Sequence, residues 1–458
     1  MIFSSNVFIF LFLPITLLLY FFGNKEVRNL VLLVASLVFY AWGEPIYVCL
    51  MICSIIFNYS SALVMDHFEN HTTVRKVMLW IAVVVNLLGL IYFKYIDFII
   101  TNVNVFFKQD IALREVALPI GISFFTFQAM SYVIDVYWKN VKAQKSLIKI
   151  ALYISLFPQL IAGPIVRYID IEKDMDNRII DFQKIYDGAK RFMLGFAKKI
   201  LLADQIAPLA DNAFASTQLT AGVAWLGIIT YSLQIYFDFS AYSDMAIGLG
   251  RIFGFEFMEN FNYPYISKSI KEFWRRWHIS LSTWFRDYVY IPLGGSRCSK
   301  ARTYINLLTI FFLTGIWHGA SWNFIVWGLF HGIFMLLERG KFGTFLEKCR
   351  DGIRRGYTLS VVLIGWVFFR AENLTLGLKY IGSMFNFTNG WWKDLVFVLN
   401  KEYIFFLIVA LLFSCPIGKK IEEHLPKKIY DFGLAGVFCV AIAYMVGKGF
   451  SPFLYFRF

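Results

Sequence analysis

The segment Val77 to Ile100 reads VMLWIAVVVNLLGLIYFKYIDFII, and no charge interrupts it before Lys94. A helix crossing the hydrocarbon core of a bilayer needs about 20 mostly apolar residues at about 1.5 Å each. This run is long enough to span, and the loop before it carries Arg75 and Lys76. Similar stretches recur on both sides: Val7–Phe22, Val27–Trp42, Pro45–Met65, Val116–Trp138, Val223–Gly248, Tyr304–Trp317, Trp322–Leu337, Thr358–Phe369, Tyr403–Cys415 and Phe432–Val446. The expected fold is an all-α polytopic integral membrane protein with about 11 transmembrane helices, several of them short or broken. Ala151–Ile165 contains Pro158, Gly163 and Pro164, so it reads as a re-entrant segment buried in protein. Ile200–Phe214, interrupted by Pro208, is a further uncertain crossing.

Composition agrees. Of 458 residues, 58% are hydrophobic, 19% aromatic and 16% charged, and the mean hydropathy is +0.59. Soluble domains carry roughly 45–50% apolar and about 25% charged residues, so a soluble enzyme, a disordered chain and a nucleic-acid binder are excluded. The net charge of +13 sits mostly between the apolar runs, as in cytoplasmic loops facing anionic lipid. Lys25 and Arg28, Arg75 and Lys76, and Lys139, Lys142, Lys145 and Lys149 mark alternate connections, which puts the N-terminus outside. Met1–Phe22 lacks a basic start and a small-residue cleavage site, so it reads as a retained first span. The six cysteines are scattered without CxxC spacing. No internal repeat or linker is visible, so residues 1–458 read as one domain with its core motifs in 116–337 and less distinctive C-terminal helices in 371–458.

Two constellations carry possible chemistry. Ser267–Pro292 (SKSIKEFWRRWHISLSTWFRDYVYIP) is too charged to span, yet its period is helical. Ile270, Phe273, Trp277, Leu281, Trp284 and Tyr288 share one face, and Lys271, Arg275, His278, Ser282 and Arg286 share another. Ser269 with Glu272 suggests a capping box, and Gly294 and Gly295 follow Pro292 as a stop. One account is an interfacial amphipathic helix with snorkelling cations. The other places His278 within a fork of cations that suits a phosphate-bearing acyl carrier. The second constellation is GIWHGASWN, Gly315 to Asn323, between two apolar runs. An ionisable group inside a membrane faces a cavity or a partner, so His318 is a candidate functional residue as well as a candidate structural one. The small residues Gly315, Gly319, Ala320 and Ser321 permit close approach. His331 lies on another face and reads as structural, and no HxxxH or HxxE spacing supports a metal at His278, His318 and His331. Gln128, Asp135, Asp238 and Asp244 read as polar glue between helices, with an ion path as the alternative. GxGxxG, P-loop, GxSxG and HExxH signatures are all absent from the sequence.

FFTFQAMSYVIDVY (Phe124–Tyr137), FPQLIAGPIVR (Phe157–Arg167), QIYFDFSAYSDMAIGLGRIFGF (Gln234–Phe255), the run Asn260–Gly295 and TGIWHGASWNFIVWGLFHG (Thr314–Gly332) closely resemble the membrane-bound O-acyltransferase family, in its bacterial polysaccharide-acetylating branch. The resemblance implies tilted helices around a central tunnel where a cytoplasmic thioester donor meets an extracytoplasmic acceptor. It also implies that His318 matches the catalytic histidine and His278 the second functional histidine. Lys271, Arg275, Arg286, Trp317, Ser321 and Asn323 are the accompanying substrate-binding candidates. The implied function is transfer of an acetyl group from acetyl-CoA or an acyl carrier protein thioester to a glycan hydroxyl, with no bound cofactor or metal. The implied partners are the lipid bilayer, a polysaccharide acceptor and an exported esterase-like acetyltransferase of the SGNH type, at the bacterial cytoplasmic (inner) cell membrane. A sister branch transfers D-alanine toward lipoteichoic acid, and an ion-coupled transporter using His318, Asp238 and Asp244 is the reading from another class. An imidazole with a pKa near 6.5 is matched to take the proton of an attacking hydroxyl at neutral pH. His278, a hydroxyl or a backbone N–H is then a candidate for stabilising the oxyanion.

Overall fold

In a bilayer each backbone N–H and C=O must be satisfied within the protein, which favours helices. The computed structural model describes residues 1–216, 219–387, 399–448 and 453–454, and every regular element among them is helical. Part of the C-terminal stretch 371–458 lies outside the described residues. The chain divides into two compact units, Met1–Phe192 with Met245–Met258, and Met193–Asp244 with Glu259–Phe458.

In the first unit, Lys25–Gly43 begins at Asn24, whose side chain accepts from the Val27 N–H. Tyr47–His67 and Thr72–Phe107 follow, and the latter contains the run quoted first. Its apolar surface at Trp80, Val84 and Leu88 is exposed, as lipid contact requires. Asn58 and Asn86 join these two helices by reciprocal amide bonds of 3.2 and 2.8 Å. Such bonds are worth about 0.6–2 kcal/mol in lipid. Ile122–Tyr137 is almost wholly buried and starts at Gly121, whose φ of +78° and proximity to the Leu160 carbonyl require glycine. The Pro158 segment breaks into Leu147–Ser155 and the short helix Phe157–Leu160, and Leu152 to Val166 are buried throughout. The sequence expectation of a broken segment enclosed in protein therefore matches.

Helix occupies part of each of the eleven apolar stretches. Among the described residues, four helices are long and apolar enough to cross a membrane: Lys25–Gly43, Tyr47–His67, Thr72–Phe107 and Lys427–Gly447. A fifth arises if Lys401–Phe413 and Ile417–His424, bent by 73°, act as one. Phe8–Phe22 and Trp322–Leu337 are apolar but shorter.

In the second unit the helices Lys300–His318 and Trp322–Leu337 form a close hairpin. A Cβ on Gly315 would sit 2.4 Å from the Phe324 carbonyl oxygen, and one on Gly328 would sit 2.2 Å from that of Phe311. The two backbones thus touch where small residues allow it. Asp351–Arg370 packs against Trp322–Leu337, with Trp366 and Phe369 beside Trp327.

The amphipathic segment departs from the expected continuous helix. It forms Ile270–Arg276, Ile279–Phe285 and a π-helical turn Arg286–Tyr290, with the break at Trp277 and His278. The cause is pairing with the chain at 260–262: Asn262 N–H donates to Arg276 C=O at 2.9 Å, and Ile279 N–H to Asn260 C=O at 3.0 Å. His278 takes a left-handed conformation with φ +46° there. The predicted apolar face survives the break, since all six of its residues are buried. Ser269 caps the first piece as expected, accepting from Glu272 N–H at 3.0 Å, while the Glu272 carboxylate reaches Lys268 N–H.

Candidate active site

His318 is the last residue of Lys300–His318, and Gly319 to Ser321 turn the chain into the next helix. Its buried ring is held edge-on by Trp317 and Trp327, each 4.9 Å away between centroids, and by Phe369 at 5.1 Å. Trp327 is fully buried and also meets His331 at 5.4 Å and Trp366 at 6.0 Å. His331 is packed between Trp274 and Trp327 and faces Gly365, where a Cβ would lie 2.5 Å from Nε2. That environment fits the structural role read for it.

His278 does not lie on the exposed cationic face. The backbone break turns its ring inward, where Nδ1 lies 3.2 Å from Asn260 Oδ1. Phe239 stands edge-on at 4.7 Å, and Trp317 lies 6.0 Å away. Trp317 therefore touches both histidines. Lys271, Arg275 and Arg286 stay exposed, and Arg286 pairs with Asp287 at 2.6 Å. The expected fork of cations around His278 is thus corrected: burial of the ring against Asn260 separates it from the cations that share its helical period.

Ser321 Oγ donates to Asn323 Oδ1 at 2.9 Å, and Asn323 Nδ2 donates to the Ala371 carbonyl. Asn323 thereby ties the hairpin to the end of Asp351–Arg370. A cavity of about 320 Å³ opens beside this tie, lined by Gly319, Ala320, Ser321, Phe369, Arg370 and Leu454 among others. Arg370 reaches Asp211 at 2.6 Å and lies over the rings of Phe214 and Tyr231.

The buried acids are paired. Lys199 lies 2.7 Å from both Asp204 and Asp238, and Lys198 lies 2.6 Å from Asp244. Asp238 Oδ2 also accepts from Leu454 N–H at 2.7 Å. Asp135 accepts from Asn140 Nδ2 at 2.9 Å. These pairs are compatible with polar glue between helices. Outside the apolar helices, Glu338 accepts from the N–H groups of Ile270 and Lys271 at 2.7 and 3.1 Å. Burial raises its carboxyl pKa, and those two bonds oppose the rise.

Residues 139–379 match the model of the membrane-bound O-acyltransferase family. The chain is 45% identical over 416 residues to the "Probable alginate O-acetylase AlgI" of Azotobacter vinelandii, covering 90% of this chain and 83% of that protein. It is 38% identical over 423 residues to the peptidoglycan O-acetyltransferase of Helicobacter pylori, covering 84% and 80% respectively. The teichoic acid D-alanyltransferase of Bacillus subtilis is 34% identical over 227 residues, 47% of this chain and 58% of that protein.

The chain belongs to the membrane-bound O-acyltransferase family. It is an enzyme, an acyltransferase integral to a membrane. Within this acyltransferase, sequence reasoning missed Asn260, Trp327, Lys199 and Arg370. Asn260 had a weak signal in NFNYPY, a run of hydrogen-bonding and ring residues with no helical or strand period. Lys199 had one in its position within an apolar run, where a cation calls for a buried partner.

Proposed function

We propose that this acyltransferase moves an acetyl group from a cytoplasmic thioester donor, acetyl-CoA or an acyl carrier protein, across the membrane to a hydroxyl of an exopolysaccharide or cell-wall glycan. Support comes from the O-acetylase and O-acetyltransferase relatives that cover most of the chain. The observation that carries it is His318, buried at a helix end, with its neighbours Gly319 and Phe369 lining a cavity.

In this reading residues 1–458 act as one catalytic domain in a bacterial cytoplasmic membrane, with a tunnel connecting donor and acceptor. His318 takes the proton of the attacking hydroxyl, and the oxygen forms a bond to the thioester carbonyl carbon. Collapse of the tetrahedral oxyanion then expels the thiolate, to which the imidazolium returns the proton. A base so placed contributes about 10²- to 10⁴-fold. The carbonyl end of Lys300–His318 favours the positive charge that grows on the ring. Trp317, Ser321 and Asn323 shape the acceptor side, and Lys271, Arg275 and Arg286 gather donor phosphates from the exposed face. An acyl-histidine at His318 is the covalent variant of the same scheme. An exported SGNH-type acetyltransferase passes the group on to the polysaccharide.

The test is transfer of label from acetyl-CoA to glycan or partner protein in proteoliposomes. Wild type transfers label, and His318→Ala, inserted and folded, does not. A variant keeping more than about a tenth of the rate would overturn His318 as base.

A further inference from the structure

We infer that Asn260 is a positioning residue that holds His278 in the tautomer protonated at Nδ1, so that His278 offers its Nε2 lone pair to a substrate hydroxyl or amide N–H. The inference rests on the reading of His278 as part of the acyl-transfer site.

The backbone N–H of Ser280 can only donate. It lies 3.2 Å from Asn260 Oδ1, and the Ser280 hydroxyl lies 2.9 Å from the same atom. A flipped amide would set NH₂ against that N–H, donor against donor, so the oxygen end must face this side. His278 Nδ1 lies 3.2 Å from that oxygen and can bond to it only by donating. A neutral imidazole carries one N–H, which leaves Nε2 as an acceptor. His278 Nε2 is buried and meets no hydrogen-bond partner among the described residues. A buried polar atom left unpaired costs about 1–3 kcal/mol.

Backbone geometry supports the same arrangement. His278 has φ +46°, uncommon outside glycine and costly by about 1–3 kcal/mol. The Ile279 N–H bond to the Asn260 carbonyl holds that turn, so Asn260 fixes the ring through its backbone as well as its side chain. Phe239 and Trp317 then flank the ring.

One chemical consequence is definite. Neutral His278 in this tautomer has no N–H to give an oxyanion, so that duty falls to another donor. Its own part is to accept a hydrogen bond and so orient the group approaching His318.

The test uses the full-length protein in bilayers with ¹⁵N-labelled histidine, and the His278 signal is assigned by loss in His278→Gln. The expected spectrum has Nδ1 protonated and Nε2 bare at neutral pH. Asn260→Asp keeps an acceptor for the Nδ1 proton and should keep Nδ1 protonated. Asn260→Leu should release the tautomer and lower kcat by at least about tenfold, on the way to the roughly 10⁴-fold loss known where a wrong tautomer disables a base. A wild-type signal protonated at Nε2 overturns the inference. So does an Asn260→Leu variant with unchanged tautomer and rate. If Asn260→Leu does not fold, the wild-type and Asn260→Asp spectra decide alone. Full activity in His278→Gln beside the expected tautomer would refute the role of His278 in transfer, a separate failure from that of the tautomer.

Discussion

Replacing Gly328 with alanine should damage catalysis although Gly328 is far down its helix from the turn that follows His318. The added Cβ would meet the Phe311 carbonyl oxygen at 2.2 Å and the Gly315 Cα at 3.2 Å. Ordinary contact begins near 3.4 Å, so the shortfall is about 1.2 Å. Both obstacles are backbone, and no side-chain rotation relieves them. The helices must separate or bend, at the cost of about 1–3 kcal/mol typical of overpacking. His318 ends one of these helices, and a displacement of about 1 Å at a reacting group costs about 10²-fold. The expected result is a kcat lower by about 30- to 100-fold with a reduced melting temperature. Gly352→Ala, with open space around its Cβ, serves as the control. The assay is initial acetyl transfer in nanodiscs at matched folded protein, with thermal melting alongside. A Gly328→Ala enzyme within threefold of wild type and melting normally would refute the idea that a rigid backbone contact positions His318.

Other outcomes follow from the same geometry. Lys199→Met leaves Asp238 and Asp204 without their shared cation and should cost about 3–5 kcal/mol, while adding Asp238→Asn should restore part of it, read by melting of both variants. The double variant Lys271→Gln, Arg275→Gln should raise donor KM with nearly constant kcat in liposomes of fixed lipid composition; an unchanged KM would leave these cations as lipid contacts. For Glu338, the folded pKa is raised above the ordinary 4.5, so its contribution to stability is present below that value and lost as pH climbs through the raised one. Glu338→Gln should flatten this decline in melting above about pH 4.5 and weaken the cap on Ile270–Arg276 by about 1 kcal/mol; a slope that persists would assign it to another group.

The legible parts of the sequence were those set by local pattern. Val77–Ile100 lies in one long helix with an exposed apolar face, and Ile270 through Tyr288 kept their apolar face even where the helix broke. His318 stood out because an ionisable residue between apolar runs is costly. Val223–Gly248 shows the limit. Hydropathy marks a helix there, and Ala221–Ile252 is one, but its burial along most of its length was not readable, because an apolar stretch reads the same whether lipid or protein surrounds it. The inward turn of His278 was illegible because its cause, Asn260, lies 18 residues earlier in the chain. The pairing of Asp238 with Lys199 was hidden in the same way. Periodicity describes one element at a time, and these features belong to two.

The glycine contact between Lys300–His318 and Trp322–Leu337 also limits how the hairpin that carries His318 can diversify. A main-chain contact has no side chain to trim or enlarge, so Gly315 and Gly328 offer natural variation nothing to tune. The cavity beside it is bounded instead by side chains, among them the rings of Phe324, at the start of the second hairpin helix, and Phe369. Any change in the size of that cavity therefore has to arise at such side chains, while the glycine contact stays fixed as the reference from which their reach is measured.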